Sequence, residues 1–344
     1  MKSVVTRVRW RVTPFFLIGL VVMASLTAAC GGGEDETLVV YSGRTDSLVR
    51  PILDQFAADT GIDIEVRYDS SAGVATLLLE EGENTRADVV LLQDAGALGA
   101  LAKEGMLQEL TDDLLERVEP RFRSPEGLWV GTSGRARTIV YNTQLVDPET
   151  DLPDSVFGFT EPDWRGRVGW APFNASFQAF VTAMRVSHGE DVARQWLEDM
   201  RDNDTRVYPN NITIVDAASR AEIFAGLVNH YYLYQFLEER GEDFGARNHY
   251  LGDGDIGSLI NVAGVGIVAG NGDQEAAERF VEYLLSETAQ QYFSEETSEY
   301  PLVEGVEALD FLPPLSSLDS PDIDLSDLDD LEGTLDLLRE VGLL

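Results

Sequence analysis

The chain of 344 residues is short of reactive and basic side chains: it has one cysteine, three histidines and 25 Lys and Arg residues against 61 acidic ones. One cysteine excludes an internal disulfide. The shortage of positive charge, with no basic stripe, excludes a nucleic-acid-binding surface, because Lys and Arg hold the phosphates. The acidic excess favours solubility and attracts cations only weakly and without specificity. The net charge of −36 is therefore not in itself evidence of a metal site.

Motifs for enzymatic chemistry are missing as well. The sequence has no Ser-His-Asp spacing of a hydrolase, no zinc motif and no phosphate-binding loop. The glycines of residues 258–268 do not have the spacing of a dinucleotide fingerprint. We therefore predict that the protein is not an enzyme.

Long apolar runs are confined to the N-terminus, where residues 15–26 follow a basic segment and precede Cys30. A basic segment, an apolar core and small residues are typical of an export signal. The arrangement resembles a bacterial lipoprotein signal, which implies removal of residues 1–29 and a lipid on Cys30; an uncleaved membrane anchor is the alternative. Residues 30–36 are predicted to be a flexible tether. We expect an exported protein, lipid-anchored to the outer face of the bacterial cytoplasmic membrane or periplasmic.

From about residue 38 onward, apolar strand patterns alternate with helical patterns. Three strands, each followed by a helix, are predicted over 38–42, 47–60, 62–66, 75–81, 87–92 and 95–103. This alternation predicts an α/β fold with a parallel sheet. Ligands of such sheets bind beyond the carboxyl ends of the strands, where Tyr41, Thr45 and Gln93 are expected.

The middle of the chain is predicted to cross into a second lobe and to return. A strand, a turn and a strand over 129–142 mark the first crossover, and a strand pair over 258–268 marks the return. Helices between and after them are predicted over 177–187, 191–201, 215–225, 274–285 and 287–293.

These crossovers predict the domain organisation. The predicted parts are lobe 1 (37–130 and 262–305), lobe 2 (131–261) and an acidic C-terminal tail (306–344). We expect the middle of the tail to wrap loosely on the surface and its end to form a helix over 334–341.

Asn174, Ala175 and Ser176 precede the helix predicted over 177–187. An Asn at a helix start accepts from free backbone N–H groups, and the helix dipole favours negative charge there. The segment is a candidate anion site; a helix cap without a ligand is the alternative.

Asn229, His230, Tyr231 and Tyr232 follow a short strand predicted over 227–229. Phenolate oxygen is a hard ligand, and a bound trivalent cation can displace the phenol proton. Neighbouring helical side chains diverge by about 100°, so both rings can meet one metal only at a helix start or in an irregular segment. The tyrosine pair is a candidate metal site; packing of two aromatic rings is the alternative.

The export signal, the alternating pattern and several segments together resemble the ferric-iron-binding proteins of ABC importers. The matching segments are 41–44, 164–169, 229–232 and 299–303. The resemblance extends over about residues 38–302. It implies a two-lobed type II periplasmic-binding-protein fold with ferric iron in a hinged cleft between the lobes.

The resemblance also implies roles for individual residues. Tyr231 and Tyr232 match the paired tyrosinate ligands of the iron. Tyr41 lies near a further tyrosine ligand found in some relatives; a side chain that points into the core at the end of a buried strand is the alternative. A synergistic anion, phosphate or carbonate, would lie in the same cleft. The residues that match its binding site are Asn174, Ala175, Ser176, Asn211, Asn229 and Arg44.

The chain departs from the family at two cleft positions. Thr45 and Gln93 stand where many relatives have a histidine ligand and some have a glutamate ligand. Neutral Thr and Gln are poorer ligands for a hard trivalent ion, so anions or water would have to complete the coordination shell. We expect His230 to lie beside the site rather than on the metal.

These residues predict a monomeric substrate-binding lipoprotein that captures ferric iron with its anion by closure of two lobes. Its partner would be the permease of an ABC transporter, to which it delivers the iron. The alternative keeps the fold but changes the cargo to a small anion, a polyamine or a ferric chelate, because the His and Glu ligands are missing.

Overall fold

A computed structural model describes residues 37–270, 272 and 274–344 of the chain. The predicted export signal, the tether and Cys30 lie outside the described residues. Among the residues that are described, no helix is both long enough and apolar enough to cross a membrane.

Strands and helices alternate as the periodicity predicts. The strands are β1 (Thr37–Ser42), β2 (Asp63–Tyr68), β3 (Val89–Leu92), β4 (Val130–Asn142), β5 (Val168–Trp170), β6 (Arg206–Val207), β7 (Ala225–Asn229), β8 (Ala246–His249) and β9 (Ile260–Ile267). The helices are α1 (Asp46–Thr60), α2 (Ser71–Glu81), α3 (Ala95–Lys103), α4 (Asp112–Leu115), α5 (Ala175–His188), α6 (Glu190–Asp202), α7 (Asn211–Ser219), α8 (Tyr231–Arg240), α9 (Gln274–Leu284), α10 (Glu287–Thr297) and α11 (Leu331–Glu340).

The strands form a mixed sheet in the order β2-β1-β3-β9-β4-β7-β5-β6, with β8 also paired to β4. β1 pairs in parallel with β2 and β3, and β5 pairs in parallel with β6 and β7. β9 and β4 run antiparallel to their neighbours. The predicted parallel pairing is thus confirmed on each side, and antiparallel strands connect the two sides.

β4 is the strand that joins the two sides. Its residues 130–136 pair with β9, and its residues 137–142 pair with β7 and β8. We call β1, β2, β3, β9 and residues 130–136 the first half of the sheet, and the remaining strands with residues 137–142 the second half. Every residue of β4 is buried, so any charged side chain on this strand is held inside the protein.

Three segments differ from the sequence prediction. Residues 129–142 contain one continuous strand instead of two, because each part of β4 finds its own pairing partner. Residues 258–268 likewise contain the single strand β9. The helix predicted over 215–225 is α7, which begins earlier because the side chain of Asn210 accepts from the N–H of Thr213.

The middle of the C-terminal tail, predicted to be loose, is packed against α3. Leu325 and Leu328 are buried. The carbonyl of Ser326 lies so close to Gly99 that a Cβ there would be 2.2 Å from its oxygen. The indole N–H of Trp129 donates to the Ser326 hydroxyl at 3.2 Å. Periodicity could not predict this packing, because the contact combines two leucines with backbone groups of a segment that has no regular apolar period.

The predicted terminal helix is present as α11, and it packs on α5. Arg185 of α5 forms an ion pair with Asp330 at 2.8 Å, and the hydroxyls of Thr182 and Thr334 are 2.8 Å apart. Because α3 packs on the first half of the sheet and α5 on the second half, the tail contacts helices of both halves.

Candidate metal and anion site

The tyrosine pair lies in the first turn of α8, directly after β7. β7 ends at Asn229 and α8 begins at Tyr231, so the two rings leave the chain where a strand turns into a helix. The ring centroids of Tyr231 and Tyr232 are 4.3 Å apart and the ring planes are tilted by 37°. The pair therefore meets the requirement that it stand at a helix start.

Burial keeps the hydroxyl of Tyr231 protonated. Burial and then the neighbouring Tyr232 raise the pKa of this hydroxyl, and the guanidinium of Arg135 offsets only part of the effect. A phenol in these surroundings does not ionise by itself at neutral pH. A hard cation at the oxygen would displace the proton, because the positive charge of a bound ion favours the deprotonated phenolate.

Arg137 is a buried cation beside both tyrosines. Burial lowers the pKa of its guanidinium to about 10, and Tyr231 and Tyr232 partly offset this effect. Its Nη1 group donates to Asn229 Oδ1 at 3.3 Å and to Ser176 Oγ at 3.5 Å. Within the described part of the chain, no carboxylate forms an ion pair with Arg137. A buried charge without a counter-ion is costly, so this position favours an anion.

The predicted anion-binding residues around α5 meet at the hydroxyl of Ser176. This hydroxyl donates to Asn174 Oδ1 at 2.5 Å and accepts from Asn211 Nδ2 at 3.5 Å. Ala175 is the first residue of α5, so its N–H lies at the positive end of the helix dipole. Together with Arg137, these groups form a cluster of donors next to the tyrosine pair.

Arg44, predicted to bind the anion, binds other residues of the protein instead. Its guanidinium forms a buried ion pair with Glu299 at 2.8 Å and donates to the Ser133 hydroxyl at 3.1 Å. The charge of Arg44 is therefore neutralised by the protein itself. Arg137, which lies beside the tyrosines, has no such ion pair among the described residues.

Arg135 is a further buried arginine at this site. It precedes Arg137 by two residues on β4, so both side chains leave the same face of the strand. The Nη2 group of Arg135 donates to the carbonyl oxygen of Gln93, and its charge lowers the pKa of Tyr231 against the effect of burial. Arg135 thus connects the carboxyl end of β3 with the tyrosine pair.

The other residues predicted for the cleft have different surroundings. The hydroxyl of Tyr41 donates to Glu81 at 3.1 Å. Thr45 is exposed and precedes α1 without a side-chain cap bond. Gln93 donates its backbone N–H to Ser71 at 2.8 Å. In the part of the chain that the structure describes, no contact joins Tyr41 or Thr45 to the tyrosine pair.

His230, predicted to lie beside the site, is fully buried. Its Nδ1 accepts from the N–H of Ala136 at 3.1 Å, so Nε2 carries the proton and donates to the carbonyl of Ser298 at 2.8 Å. Burial lowers the pKa of His230 to about 4, although the bond to the Ser298 carbonyl acts in the opposite direction. The imidazole is therefore neutral at pH 7.

Sequence reasoning did not single out Arg135, Arg137 or Glu299. A signal for the arginines exists, because Arg135 and Arg137 are two residues apart in a predicted strand segment and so share one face. Charged side chains are rarely buried without a partner or a ligand. For Glu299 the only signal was its place in the matching segment 299–303.

Histidine, cysteine and carboxylate groups do not form a metal site by themselves. Among the described residues, no three or more of these side chains converge in a way that could hold a metal ion.

Known proteins match the chain over most of its length. The family model described as bacterial extracellular solute-binding protein matches residues 84–324. The Fe(3+)-binding periplasmic protein of Serratia marcescens is 29% identical over 318 residues, which cover 92% of this chain and 93% of that protein.

Solved structures agree with this match. Iron-bound HitA from Pseudomonas aeruginosa superposes with a TM-score of 0.81 at 33% identity, over 90% of this chain and 100% of that one. The Trichodesmium protein IdiA (FutA), solved with iron and citrate, superposes with a TM-score of 0.79 at 27% identity, again over 90% and 100%.

Proposed function

Because the chain belongs to the bacterial extracellular solute-binding protein family, we propose that it captures ferric iron with an anion and delivers it to the permease of an ABC importer. Its fold is the two-lobed type II periplasmic-binding fold expected from the sequence. The observation that carries the proposal is the tyrosine pair, whose rings lie side by side next to the uncompensated cation Arg137.

Tyr231 and Tyr232 would supply two phenolate ligands to the iron. Ferric ion is a hard trivalent cation and prefers oxygen ligands. Its charge would drive the loss of the two phenol protons, which the buried site alone does not favour. Tyr41 is not included in this ligand set, because its hydroxyl donates to Glu81.

An oxyanion such as phosphate or carbonate would complete the coordination shell and pair with Arg137. Charge-assisted hydrogen bonds from a guanidinium are stronger than neutral ones. The amides and hydroxyl of Asn174, Asn211 and Ser176 offer further polar contacts, and the first N–H groups of α5 favour negative charge. The anion would supply coordination positions that Thr45 and Gln93 leave open.

Lobe closure would exclude water from the cleft and hold the iron until it is delivered. The lobes would comprise residues 37–130 with 262–305 and residues 131–261, and β4, which pairs with strands of both halves of the sheet, would join them. The role is binding and transfer by a monomer, without catalysis. A lipid on Cys30 would keep the protein at the outer face of the cytoplasmic membrane, near the permease.

A ferric chelate is the second candidate cargo. Arg135 and Arg137 add two positive charges beside an iron site in which the protein supplies only two phenolates. A multidentate anion such as citrate would balance more of this charge than carbonate and would fill more positions on the iron. A polyamine is disfavoured, because its ammonium groups would meet the same two guanidinium groups.

A spectroscopic titration tests the proposed function. The full-length protein, purified in detergent and stripped of metal, is titrated with ferric nitrilotriacetate in the presence of phosphate or carbonate. A tyrosinate-to-iron absorption band that saturates at one equivalent, and that is lost in the double variant Tyr231→Phe, Tyr232→Phe, supports the proposal. Absence of the band with every anion contradicts it.

Equilibrium dialysis distinguishes the two cargoes. Iron and citrate with different radioactive labels are offered together, in the presence of excess phosphate. Retention of iron without citrate supports ferric ion with a small oxyanion, whereas retention of both labels in equal amounts supports the ferric chelate. Retention of citrate in the double Phe variant without iron would indicate a plain anion-binding protein.

A further inference from the structure

His230 occupies the point at which the two halves of the sheet meet. Ala136 is the last residue of β4 that pairs with β9, and Arg137 is the first that pairs with β7. The backbone N–H of His230 donates to the carbonyl of Ala136 at 3.0 Å, and its ring Nδ1 accepts from the N–H of Ala136 at 3.1 Å. The backbone N–H and the backbone carbonyl of Ala136 are therefore both hydrogen-bonded to His230.

The other ring nitrogen of His230 reaches the segment that follows α10. Its Nε2 donates to the carbonyl of Ser298 at 2.8 Å. Ser298 has a φ of 53°, a left-handed conformation that is strained for a non-glycine residue. Two residues later, Tyr300 exchanges backbone hydrogen bonds of 2.8 and 2.9 Å with Gly134 in the first half of the sheet. This segment is therefore fixed to the first half.

Ring contacts extend the same connection to the candidate metal site. The ring of His230 packs against Tyr300 with centroids 4.8 Å apart, and it meets the edge of Tyr231 with centroids 5.6 Å apart and planes at 88°. Tyr231 belongs to α8, which follows a strand of the second half. His230 thus lies between a tyrosine of the second half and a segment held by the first half.

We propose that His230 is a positioning residue: its bond to the Ser298 carbonyl fixes the orientation of the Tyr231 ring relative to the first half of the sheet. The inference rests on the proposed function, since it assigns the position of one of the two iron ligands. A histidine that only packs in the core would need the same hydrogen bond, because its buried N–H requires an acceptor. The two roles are separated by substituting each ring nitrogen in turn.

Asn and Gln reproduce different ring nitrogens of histidine. In His230→Asn the amide can take the place of Nδ1 and accept from the N–H of Ala136, but it is too short to reach Ser298. In His230→Gln the amide nitrogen can take the place of Nε2 and donate to Ser298. His188→Asn, at an exposed histidine of α5, is the control for loss of an imidazole.

Ferric affinity and the tyrosinate absorption band are measured in the full-length protein and the three variants, with thermal unfolding as a check on folding. Loss of a group that orients a metal ligand typically weakens metal binding by about 10- to 100-fold. We expect this loss and a shifted band for His230→Asn. For His230→Gln and His188→Asn we expect affinities within about threefold of the unchanged protein and an unshifted band, because the ligand geometry is kept.

Equal affinity in the Asn and Gln variants, whether unchanged or equally weakened, would overturn the inference, because the bond to Ser298 would then have no separate effect. If His230→Asn does not fold, the Gln variant decides alone: weakened binding there overturns the inference, and retained binding supports it. Absence of the band in the unchanged protein would contradict the proposed function itself, and the inference with it.

Discussion

The guanidinium of Arg137 and the side-chain oxygen of Asn229 lie 3.3 Å apart, immediately before the tyrosine pair. The two residues are also register partners in the antiparallel pair of β4 and β7. Since sheet pairing itself places them side by side, the buried cation is positioned before any ligand arrives. Such preorganisation lowers the entropic cost of binding an anion at this point.

Single substitutions of the tyrosine pair test the ligand assignment. Tyr231→Phe and Tyr232→Phe each remove one phenol oxygen and keep the ring. We expect each to weaken ferric binding by more than about 100-fold, since losing a direct ligand should exceed the effect of losing a group that only orients one. Tyr234→Phe, in the same helix, is the matched control and should bind like the unchanged protein in the same titration.

Arg137→Gln tests the anion site. The amide keeps hydrogen-bonding capacity but removes the charge, and a hydrogen bond to a charged group contributes about 1.5–3 kcal/mol. We expect ferric affinity in the presence of phosphate or carbonate to fall by about 10- to 100-fold, the equivalent of that energy. Arg165→Gln, at an exposed ion pair with Asp204, is the control. An anion dependence identical to that of the unchanged protein would contradict the assignment.

The buried pair of Arg44 and Glu299 is predicted to matter for stability. Glu299→Gln leaves the guanidinium buried without its counter-ion, which typically costs about 3–5 kcal/mol. We expect the free energy of unfolding of the metal-free protein, measured in denaturant at pH 7, to fall by about this amount. An unchanged value would show that the pair contributes nothing.

The same pair predicts a pH dependence. Burial raises the pKa of Glu299, but Arg44 and Arg135, together with the Ser133 hydroxyl, outweigh it, so the pKa is lower in the folded protein than its ordinary value of 4.5. The stabilisation that the ionised Glu299 contributes is therefore complete above pH 4.5. It is lost as the pH falls through the lower pKa that Glu299 has in the folded protein. The difference in the free energy of unfolding between Glu299→Gln and the unchanged protein should therefore become smaller as the pH falls below 4.5. A difference that grows below pH 4.5 would contradict this.

Packing of the C-terminal tail can be tested at Gly99. Alanine normally stabilises a helix interior by about 1 kcal/mol over glycine, but here its Cβ would come within 2.2 Å of the Ser326 carbonyl oxygen. We expect Gly99→Ala to lower the free energy of unfolding by about 1–3 kcal/mol, as overpacked cores do. Gly252→Ala, where a Cβ would meet nothing within 4 Å, is the control. A stabilised Gly99→Ala variant would show that the tail is not tightly packed.

The alternation of strands and helices could be predicted from the sequence because it depends on local apolar periodicity. The bounds of α3 agree with the prediction, and a strand end was expected directly before Tyr231. The crossover strands could not be predicted in the same way. Periodicity identifies a strand but not its partners, so residues 129–142 were predicted to form two strands, whereas β4 is one strand that pairs first with β9 and then with β7.

At the candidate site, too, short segments of sequence identify some residues, whereas others depend on contacts between distant parts of the chain. Asn174 and Ser176 could be chosen from their local segment and Asn211 from the family resemblance, and the structure brings the three together. Arg44 was implied by the family resemblance, but its counter-ion is Glu299, 255 residues away in sequence. Arg137 was passed over although it carries the uncompensated charge. Which buried arginine is neutralised depends on tertiary contacts that no short segment contains.

A crystal structure of the full-length protein loaded with ferric ion, with anomalous diffraction recorded at the iron absorption edge, tests the central claim most directly. We predict one iron peak at ligand distance, about 2 Å, from the phenol oxygens of both Tyr231 and Tyr232, with anion density between the iron and Arg137. An iron peak elsewhere, or one without contact to either tyrosine, would contradict the account.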